Sequence, residues 1–350
     1  MKKSDLYLPG SGFFNFRAVR DLGYPFTQIV GGRGTGKTFG ALETSIEDRR
    51  LFCYMRRKKT ELDIINKDEF SPLRPVCRAR GWEYKSLPIA PGIVGFYPCE
   101  TDEDGKTTIT GPAAGMTAAL STFGSLRGFD SSDVELLLYD EAIPERGERP
   151  LPHEADKLDN AYETINRNRE LQGRPPLQLI VMGNANDQAS PILTSWGLAS
   201  VVDKLRSRGR WIHTDDRRGI CLVLLEDSPI TKQKKDTALY RRAAGTDFAK
   251  MALDNAFAYN DRSHIIPRPL CEYTPRAVLG SCCVYRHKSE PRYYITEHRQ
   301  GSPKVYPDTE AGRDRFCDDY GFLYRAYCDG RVDFEDFGCL AWFEELILKG

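Results

Sequence analysis

The chain has 350 residues, and its 50 Lys and Arg are balanced by 50 Asp and Glu, so the formal net charge is zero. An apolar content of 40% with 11% aromatic residues excludes a mainly disordered chain. A mean hydropathy of −0.50 argues against an integral membrane protein. The N-terminus has no apolar segment of the kind that a secretory signal needs. Zero net charge also disfavours a protein that coats nucleic acid nonspecifically.

The ten cysteines and five histidines are scattered, and no CxxC pair or other closely spaced ligand pair typical of a zinc site occurs. We therefore expect reduced cysteines that pack as small apolar side chains.

Short apolar runs without polar alternation predict buried parallel strands in the first part of the chain. They lie at 26–30, 51–55, 134–139 and 177–182. Helix-like composition follows at 38–50 and 156–171, and 82–110 has the pattern of a hairpin insertion with its tip near 101–106. Residues 1–205 are thus predicted to form one α/β domain with a parallel sheet flanked by helices.

The remaining chain is predicted to form a helical linker or lid region at 206–264 and a small α+β domain at 265–350. Helix-like sequence fills 231–259. In the last segment, 282–285 and 292–296 could pair as strands, and 334–348 could form an amphipathic helix.

The strongest motif is GGRGTGKT, which fits G-x-x-x-x-G-K-[ST] and stands between a predicted strand and a predicted helix. Its glycines let backbone N–H groups surround a phosphate, and the helix N-terminus adds its dipole. Lys37 would contact the β- and γ-phosphates and Thr38 would bind Mg²⁺, so ATP and Mg²⁺ are the expected cofactors. The nucleotide-binding loop comprises Gly31, Gly32, Arg33, Gly34, Thr35, Gly36, Lys37 and Thr38.

Two further strand ends supply polar groups. Asp140 and Glu141 end the apolar run LLLY; Asp140 would hold Mg²⁺ and Glu141 would polarise the attacking water, which favours hydrolysis. Asn184 ends the run LIVMG and could hydrogen-bond both the γ-phosphate and the water.

Several arginines could act on a neighbouring subunit, since an arginine finger stabilises the charge of the transition state. Arg167 and Arg169 lie in the run INRNRE, and a solvated helix face is the alternative interpretation. Arg127, flanked by glycines, is a further candidate.

Two basic clusters could contact a phosphodiester backbone, or could simply be solvated surfaces. One occupies 204–218 and includes Trp211. The other occupies 49–59, and its last four members directly follow a predicted strand: Arg56, Arg57, Lys58 and Lys59.

The order of motifs across 20–260 resembles the DNA-packaging (encapsidation) ATPases of small tailed phages with protein-primed linear genomes, which are short relatives of the large terminase motors. The resemblance is weaker from 265 on. The motifs are GGRGTGKT, YMRRKKTEL, LSTFGSLRG, LLLYDEAI, ETINRNRE, LIVMGNAN and TDFAKMALDNAF.

The resemblance implies a P-loop NTPase fold of the additional-strand, catalytic-glutamate type and a homo-oligomeric ring, with a pentamer expected. Such a ring would act in the host cytoplasm at the portal (connector) vertex of an empty procapsid and translocate double-stranded DNA inward. Relatives also work with a packaging RNA, although no RNA site is identifiable here.

The resemblance also implies roles for individual residues. Asn184 matches the position that links hydrolysis to movement, Arg167 the trans-acting finger, and Arg127 a basic position that acts on the neighbouring subunit. Lys59 matches a basic position associated with DNA contact. The nucleotide site would comprise Lys37, Thr38, Asp140 and Glu141.

The segment 265–350 would be similar to a vestigial RNase H-like nuclease domain. Working nucleases of that fold need clustered carboxylates for two metals. The first plausible strand there has none, and the available acidic residues are more simply surface charges. They are Asp308, Asp318, Asp319 and Asp333.

Three alternatives to a packaging motor stay open. One is a terminase with an active nuclease, and another is a different phage P-loop ATPase, such as a replication helicase or a morphogenesis protein. The third is a nucleotide-binding scaffold that does not hydrolyse ATP.

Overall fold

The computed structural model describes residues 1–126, 131–145, 147–257 and 260–348. Among these residues, strands and helices alternate in the first half of the chain. From residue 273 on, four strands come first and are followed mainly by helices. The strands are β1 Phe26–Gly31, β2 Phe52–Arg56, β3 Tyr84–Ala90, β4 Ile93–Thr101, β5 Thr107–Ile109, β6 Gly115–Ala119, β7 Leu136–Tyr139, β8 Gln178–Gly183, β9 Ile212–Asp215, β10 Ile220–Leu225, β11 Tyr273–Leu279, β12 Cys282–His287, β13 Tyr293–Thr296, β14 Lys304–Tyr306 and β15 Val332–Phe334.

The helices are mostly short, and several 3₁₀ turns join them to the strands. The α-helices are α1 Phe16–Arg20, α2 Lys37–Glu47, α3 Lys59–Ile65, α4 Arg74–Arg80, α5 Glu154–Asn166, α6 Pro191–Ser195, α7 Ala199–Ser207, α8 Pro229–Lys234, α9 Ala238–Arg242, α10 Asp247–Asp254, α11 Glu310–Tyr320, α12 Phe322–Cys328 and α13 Phe337–Phe343. A π-helical turn, Glu344–Leu348, follows α13. Among the described residues, no helix is both long enough and apolar enough to cross a membrane.

The larger sheet is mainly parallel, with the strand order β3-β4-β6-β2-β7-β8-β1-β10-β9 and β5 paired to β4. The six strands from β6 to β10 in this order run parallel, and β3, β4 and β9 are antiparallel additions at the edges. Strands β2, β7, β8 and β10 are almost entirely buried, as expected for a sheet covered by helices on both faces. The mixed α/β class and the hairpin insertion are therefore confirmed.

The smaller sheet is mixed, with the order β14-β11-β12-β13-β15. Strands β11, β12 and β13 form an antiparallel meander, which confirms the pairing predicted between 282–285 and 292–296. Strand β14 runs parallel to β11 and strand β15 parallel to β13. An apolar core rich in aromatic residues, including Phe316, Phe334 and Phe343, joins this sheet to its helices.

The chain divides into two compact units at positions that differ from the boundaries predicted at 205 and 264. The first unit combines 1–187 with 210–259, and the second combines 188–209 with 260–350. Residues 210–259 join the first unit because β10 pairs in register with β1 in the large sheet. Residues 188–209 join the second because α7 is tied to it by polar contacts, such as Ser200 Oγ donating to Glu297 at 3.1 Å.

Candidate nucleotide site

The glycine-rich loop connects β1 to α2 at the carboxyl edge of the large sheet. Gly36 precedes α2 with a φ of 95°, a left-handed conformation that favours glycine. The N-terminal segment braces the loop from outside, since the backbone N–H of Phe14 donates to the Thr35 carbonyl at 2.9 Å. The loop is therefore a defined turn between a buried strand and a helix N-terminus, the arrangement that binds phosphate.

Lys37 is buried at the base of this loop. Its ammonium group donates to the carbonyls of Gly31 and Gly32 at 3.1 and 2.9 Å and to Asn184 Oδ1 at 3.0 Å. Burial lowers the pKa of Lys37 to about 8, although the carboxylates of Asp140 and Glu141 oppose the shift. A phosphate bound here would add negative charge beside the Lys37 ammonium and so favour its protonated form.

Asp140 follows β7 and faces the first turn of α2. Thr38 Oγ1 donates to Asp140 Oδ2 at 2.6 Å, and the Tyr54 hydroxyl donates to the same oxygen at 2.9 Å. Hydroxyl and carboxylate oxygens are the donors that Mg²⁺ prefers. The convergence of Thr38 and Asp140 therefore fits the magnesium position predicted for these two residues.

Glu141 has a φ of 53°, so its backbone is in the left-handed region and the chain turns sharply after Asp140. Glu141 Oε2 accepts from the Arg56 guanidinium at 2.6 Å, and Arg56 also bonds Glu61 at 3.0 Å. Burial raises the pKa of Glu141, and the neighbouring Arg56 limits that rise. Glu141 is thus placed beside the loop but engaged by a guanidinium.

These groups line one cavity of about 380 Å³, a size appropriate for a small-molecule site. A second cavity, of about 390 Å³, lies elsewhere in the same unit beside Trp82 and Arg74 and includes none of the predicted nucleotide residues. The site cavity is lined by Arg33, Gly34, Thr35, Gly36, Lys37, Thr38, Phe39, Asp140, Glu141, Glu145, Gly183 and Asn184.

The two arginines of the run INRNRE have different environments. Arg169 is buried and donates to the Ser132 carbonyl at 2.6 Å, and burial lowers its pKa. Arg167 ends α5 in a left-handed conformation and is half-buried, with its Nε donating to the Thr164 carbonyl at 3.3 Å. Arg167 is therefore the more accessible of the two. Arg127 lies outside the described residues.

The predicted DNA-contacting run after β2 is mostly engaged within the protein. Arg56 pairs with Glu141, and Lys58 pairs with Glu148 at 2.9 Å. Arg57 has only 2% of its side chain exposed and binds buried Glu154, so its burial removes it from any DNA-facing surface. Lys59 is exposed at the start of α3.

The four acidic residues considered for a nuclease site are in the second unit; Asp308, Asp318 and Asp319 are exposed as expected, whereas the expectation of a surface charge is wrong for Asp333. Asp333 is buried between Arg268 and Arg292, at 2.8 and 3.0 Å. Asp319 pairs with Lys304 at 2.7 Å. Asp308 pairs with Arg313 at 2.9 Å. Among the described residues, no group of three or more His, Cys, Asp and Glu side chains could hold a metal ion.

Sequence reasoning missed two contacts at the site, those of Tyr54 and Arg56 with the paired carboxylates. Both residues lie on β2, which pairs with β7 so that Met55 is opposite Tyr139. The side chains of β2 therefore reach the residues that follow β7. The signal in the sequence was the polar end of an apolar strand, but strand adjacency was needed to assign the contacts.

The fold and the site together define a mixed α/β protein with a phosphate-loop cavity at the carboxyl edge of a mainly parallel sheet. A family model for the podovirus DNA encapsidation protein (Gp16) matches residues 102–270. The DNA packaging protein of Bacillus phage phi29 is 26% identical over 241 residues, which are 65% of this chain and 61% of that relative. These matches confirm the resemblance predicted from the sequence, and the chain is similar to the podovirus DNA encapsidation proteins.

Two solved structures share the fold along almost the entire chain. The Phi-28 gp11 DNA packaging motor has a TM-score of 0.62 at 18% identity, covering 97% of this chain and 98% of that one. The viral genome packaging motor assembly of bacteriophage Phi-29 has a TM-score of 0.63 at 20% identity, covering 97% and 99%. The similarity therefore extends through both units.

Proposed function

We propose that this protein is an ATP-driven motor that packages double-stranded DNA into a phage procapsid. The observation behind the proposal is the cavity in which Lys37, Thr38, Asp140, Glu141 and Asn184 converge. Each of these side chains can perform a different task in the transfer of a phosphoryl group to water. The DNA substrate and the partners are inferred from the similarity to DNA packaging proteins.

The proposed chemistry follows from the positions of the side chains. Lys37 would exchange its carbonyl partners for phosphate oxygens and neutralise their charge. Thr38 and Asp140 would hold Mg²⁺, which supplies charge neutralisation at the phosphates when bound. Glu141, when ionised, would accept a proton from the attacking water.

The polar contacts of the site also suggest how turnover could be controlled. Glu141 must be released from Arg56, at least in part, before its carboxylate can orient water. Asn184 now accepts from Lys37, and a phosphate that attracts Lys37 would free the Asn184 amide. Both contacts would therefore change between the nucleotide-free and nucleotide-bound states.

We further propose a homo-oligomeric ring, pentameric as in the resemblance, at the portal vertex of the procapsid in the host cytoplasm. Arg167 would act in the site of the adjacent subunit, since it is half-exposed and at a chain turn. Lys59 is the member of its basic run most available to DNA. A packaging RNA is a further proposed partner, taken from the resemblance alone.

The second unit is proposed to be a nuclease-like domain without nuclease activity. The basic partners of Asp333 and Asp319 compete with metal for their oxygens. Incubation of the full chain with supercoiled plasmid and Mn²⁺ tests this proposal. Cleavage that disappears in an Asp333→Asn variant would favour a terminase with an active nuclease instead.

The decisive experiment measures ATPase activity with and without duplex DNA across a salt series. We expect stimulation by the duplex that decreases with salt, because phosphate contacts release counterions. Glu141→Gln should abolish turnover while ATP still binds, and Glu163→Gln, on the exposed face of α5, is the matched control. Binding without hydrolysis in the wild type would favour a scaffold, and strand separation would favour a helicase.

A mixing experiment tests the proposed action of Arg167 between subunits. Arg167→Ala and Lys37→Ala subunits are each expected to be inactive alone. In mixed rings, an intact loop from one subunit can face an intact Arg167 from another, so part of the activity should return. Mixtures that stay inactive while still assembling would contradict the assignment.

A further inference from the structure

The short helices after β10 pack against the outer side of the glycine-rich loop. Lys234, at the end of α8, donates its ammonium to the Arg33 carbonyl at 2.5 Å. Asn255, just after α10, donates to the Val30 carbonyl at 3.2 Å, and the Arg33 guanidinium lies 6.0 Å from the centre of the Phe248 ring. This segment therefore contacts the backbone of the loop at Arg33, through a charged donor, and the backbone of the preceding strand β1 at Val30.

The Lys234 contact fixes the orientation of one peptide group. In a trans peptide the carbonyl and the following N–H point in opposite directions. Since the Arg33 carbonyl faces Lys234, the N–H of Gly34 faces away from it. Gly34 lines the cavity and Lys234 is not among its lining residues, yet Lys234 lies so close to Gly34 that a Cβ atom there would clash with the ammonium.

The charge of Lys234 adds a second effect. A hydrogen bond from an ammonium polarises the carbonyl that accepts it, and the same amide then becomes a stronger N–H donor at its other end. Lys234 is half-buried, which lowers its pKa and reduces competition from water for this bond. Its charge is also close enough to lower the pKa of Lys37.

We propose that Lys234 is a positioning residue for nucleotide binding, which holds the Arg33–Gly34 peptide so that the Gly34 N–H donates to a phosphate oxygen of the bound nucleotide. Lys234 acts through this peptide and from outside the cavity. The inference rests on the proposed nucleotide site but not on DNA translocation. Lys234 is not among the nucleotide-binding residues that the sequence predicts.

The test compares Lys234→Met, which keeps the length of the side chain, with Lys234→Arg and with a control on the same helix. Lys232 is exposed, so Lys232→Met removes one positive charge from α8 without touching the loop. The Kd of a fluorescent ATP analogue is measured without turnover, and KM and kcat are measured separately. We expect Lys234→Met to weaken binding by about three- to tenfold and to raise KM equally with little change in kcat.

A merely structural role would give a different pattern. It would lower the fraction of active protein, and hence kcat, while the folded molecules kept the wild-type Kd. Lys234→Arg should restore binding to within about twofold, since it keeps a charged donor. If Lys234→Met does not fold, Lys234→Gln provides the same comparison. An unchanged Kd in a folded variant would overturn the inference, whereas ATP binding without hydrolysis in the wild type would overturn only the proposed motor function.

Discussion

Arg57 offers the sharpest distinction between a structural and a DNA-binding role for the basic run after β2. Its Nε bonds both Glu154 oxygens, at 2.9 and 3.2 Å, and another guanidinium nitrogen donates to the Ala142 carbonyl at 2.6 Å. Glu154 is also buried and accepts from the Tyr139 hydroxyl at 2.6 Å and from the Leu151 N–H at 2.8 Å. The Arg57→Ala substitution would leave this carboxylate charged, buried and without its cation.

The magnitude follows from that burial. Removing one partner of a buried ion pair costs about 3–5 kcal/mol, whereas an exposed substitution such as Lys59→Ala changes stability by less than about 0.5 kcal/mol. A domain is stable by only about 5–15 kcal/mol, so the Arg57 loss is a large fraction of the total. Urea unfolding followed by tryptophan fluorescence measures both variants under the same conditions.

A double variant separates the pair from its surroundings. Arg57→Met combined with Glu154→Leu removes both charges and keeps apolar volume, so it should be less destabilised than the sum of the single variants. DNA affinity of the folded proteins supplies the second measurement, and here we expect Lys59→Ala to have the larger effect. A stable Arg57→Ala protein that has lost DNA binding would refute the reasoning.

Three further predictions concern titration and the two arginines after α5. Burial lowers the pKa of Lys37 to about 8, so the unfolded chain holds this proton more tightly than the folded protein does. The nucleotide-free protein should therefore gain stability as the pH rises above about 8. In urea titrations, Lys37→Met should remove that gain. Arg56 limits the rise in the pKa of Glu141, so in Arg56→Ala the acid limb of the ATPase pH profile should move to higher pH. If the limb does not move, the titration of Glu141 does not set it. Arg169→Ala should cost about 1–3 kcal/mol in urea unfolding, whereas Arg167→Ala should leave stability within about 0.5 kcal/mol and lower the ATPase rate; the reverse order would contradict their assigned environments.

Local sequence determined the central strands and the loop well. The runs predicted at 26–30 and 177–182 correspond to β1 and β8, because continuous apolar sequence is stable only where both faces of a strand are covered. The helix predicted at 38–50 ends earlier, at Glu47, where α2 gives way to a turn. The convergence of Asp140 with Thr38 was also predictable, since parallel strands present their carboxyl ends at one edge.

The missing information was long-range. Strand β6 has the sequence GMTAA, which lacks the bulky apolar residues that predict a strand, and it forms because β2 and β4 provide neighbours. Strand β10 is fully apolar, but it follows the basic segment 204–218, and nothing in the local sequence indicates that it pairs with β1. The helix-like stretch 231–259 is divided into α8, α9 and α10; the break near Gly245 was predicted from the sequence, whereas the turn between α8 and α9 was not.

The interrupted path of the chain bears on how the protein can be dissected and synthesised. The strand that flanks β1 on one side is β10, and the chain reaches it only after making two helices of the other unit. A fragment ending near 205 would leave the phosphate-loop strand as an exposed sheet edge, prone to aggregation. On the ribosome, β1 can gain this neighbour only after residue 225 has emerged, so we expect shortened versions to be more stable when they retain β10.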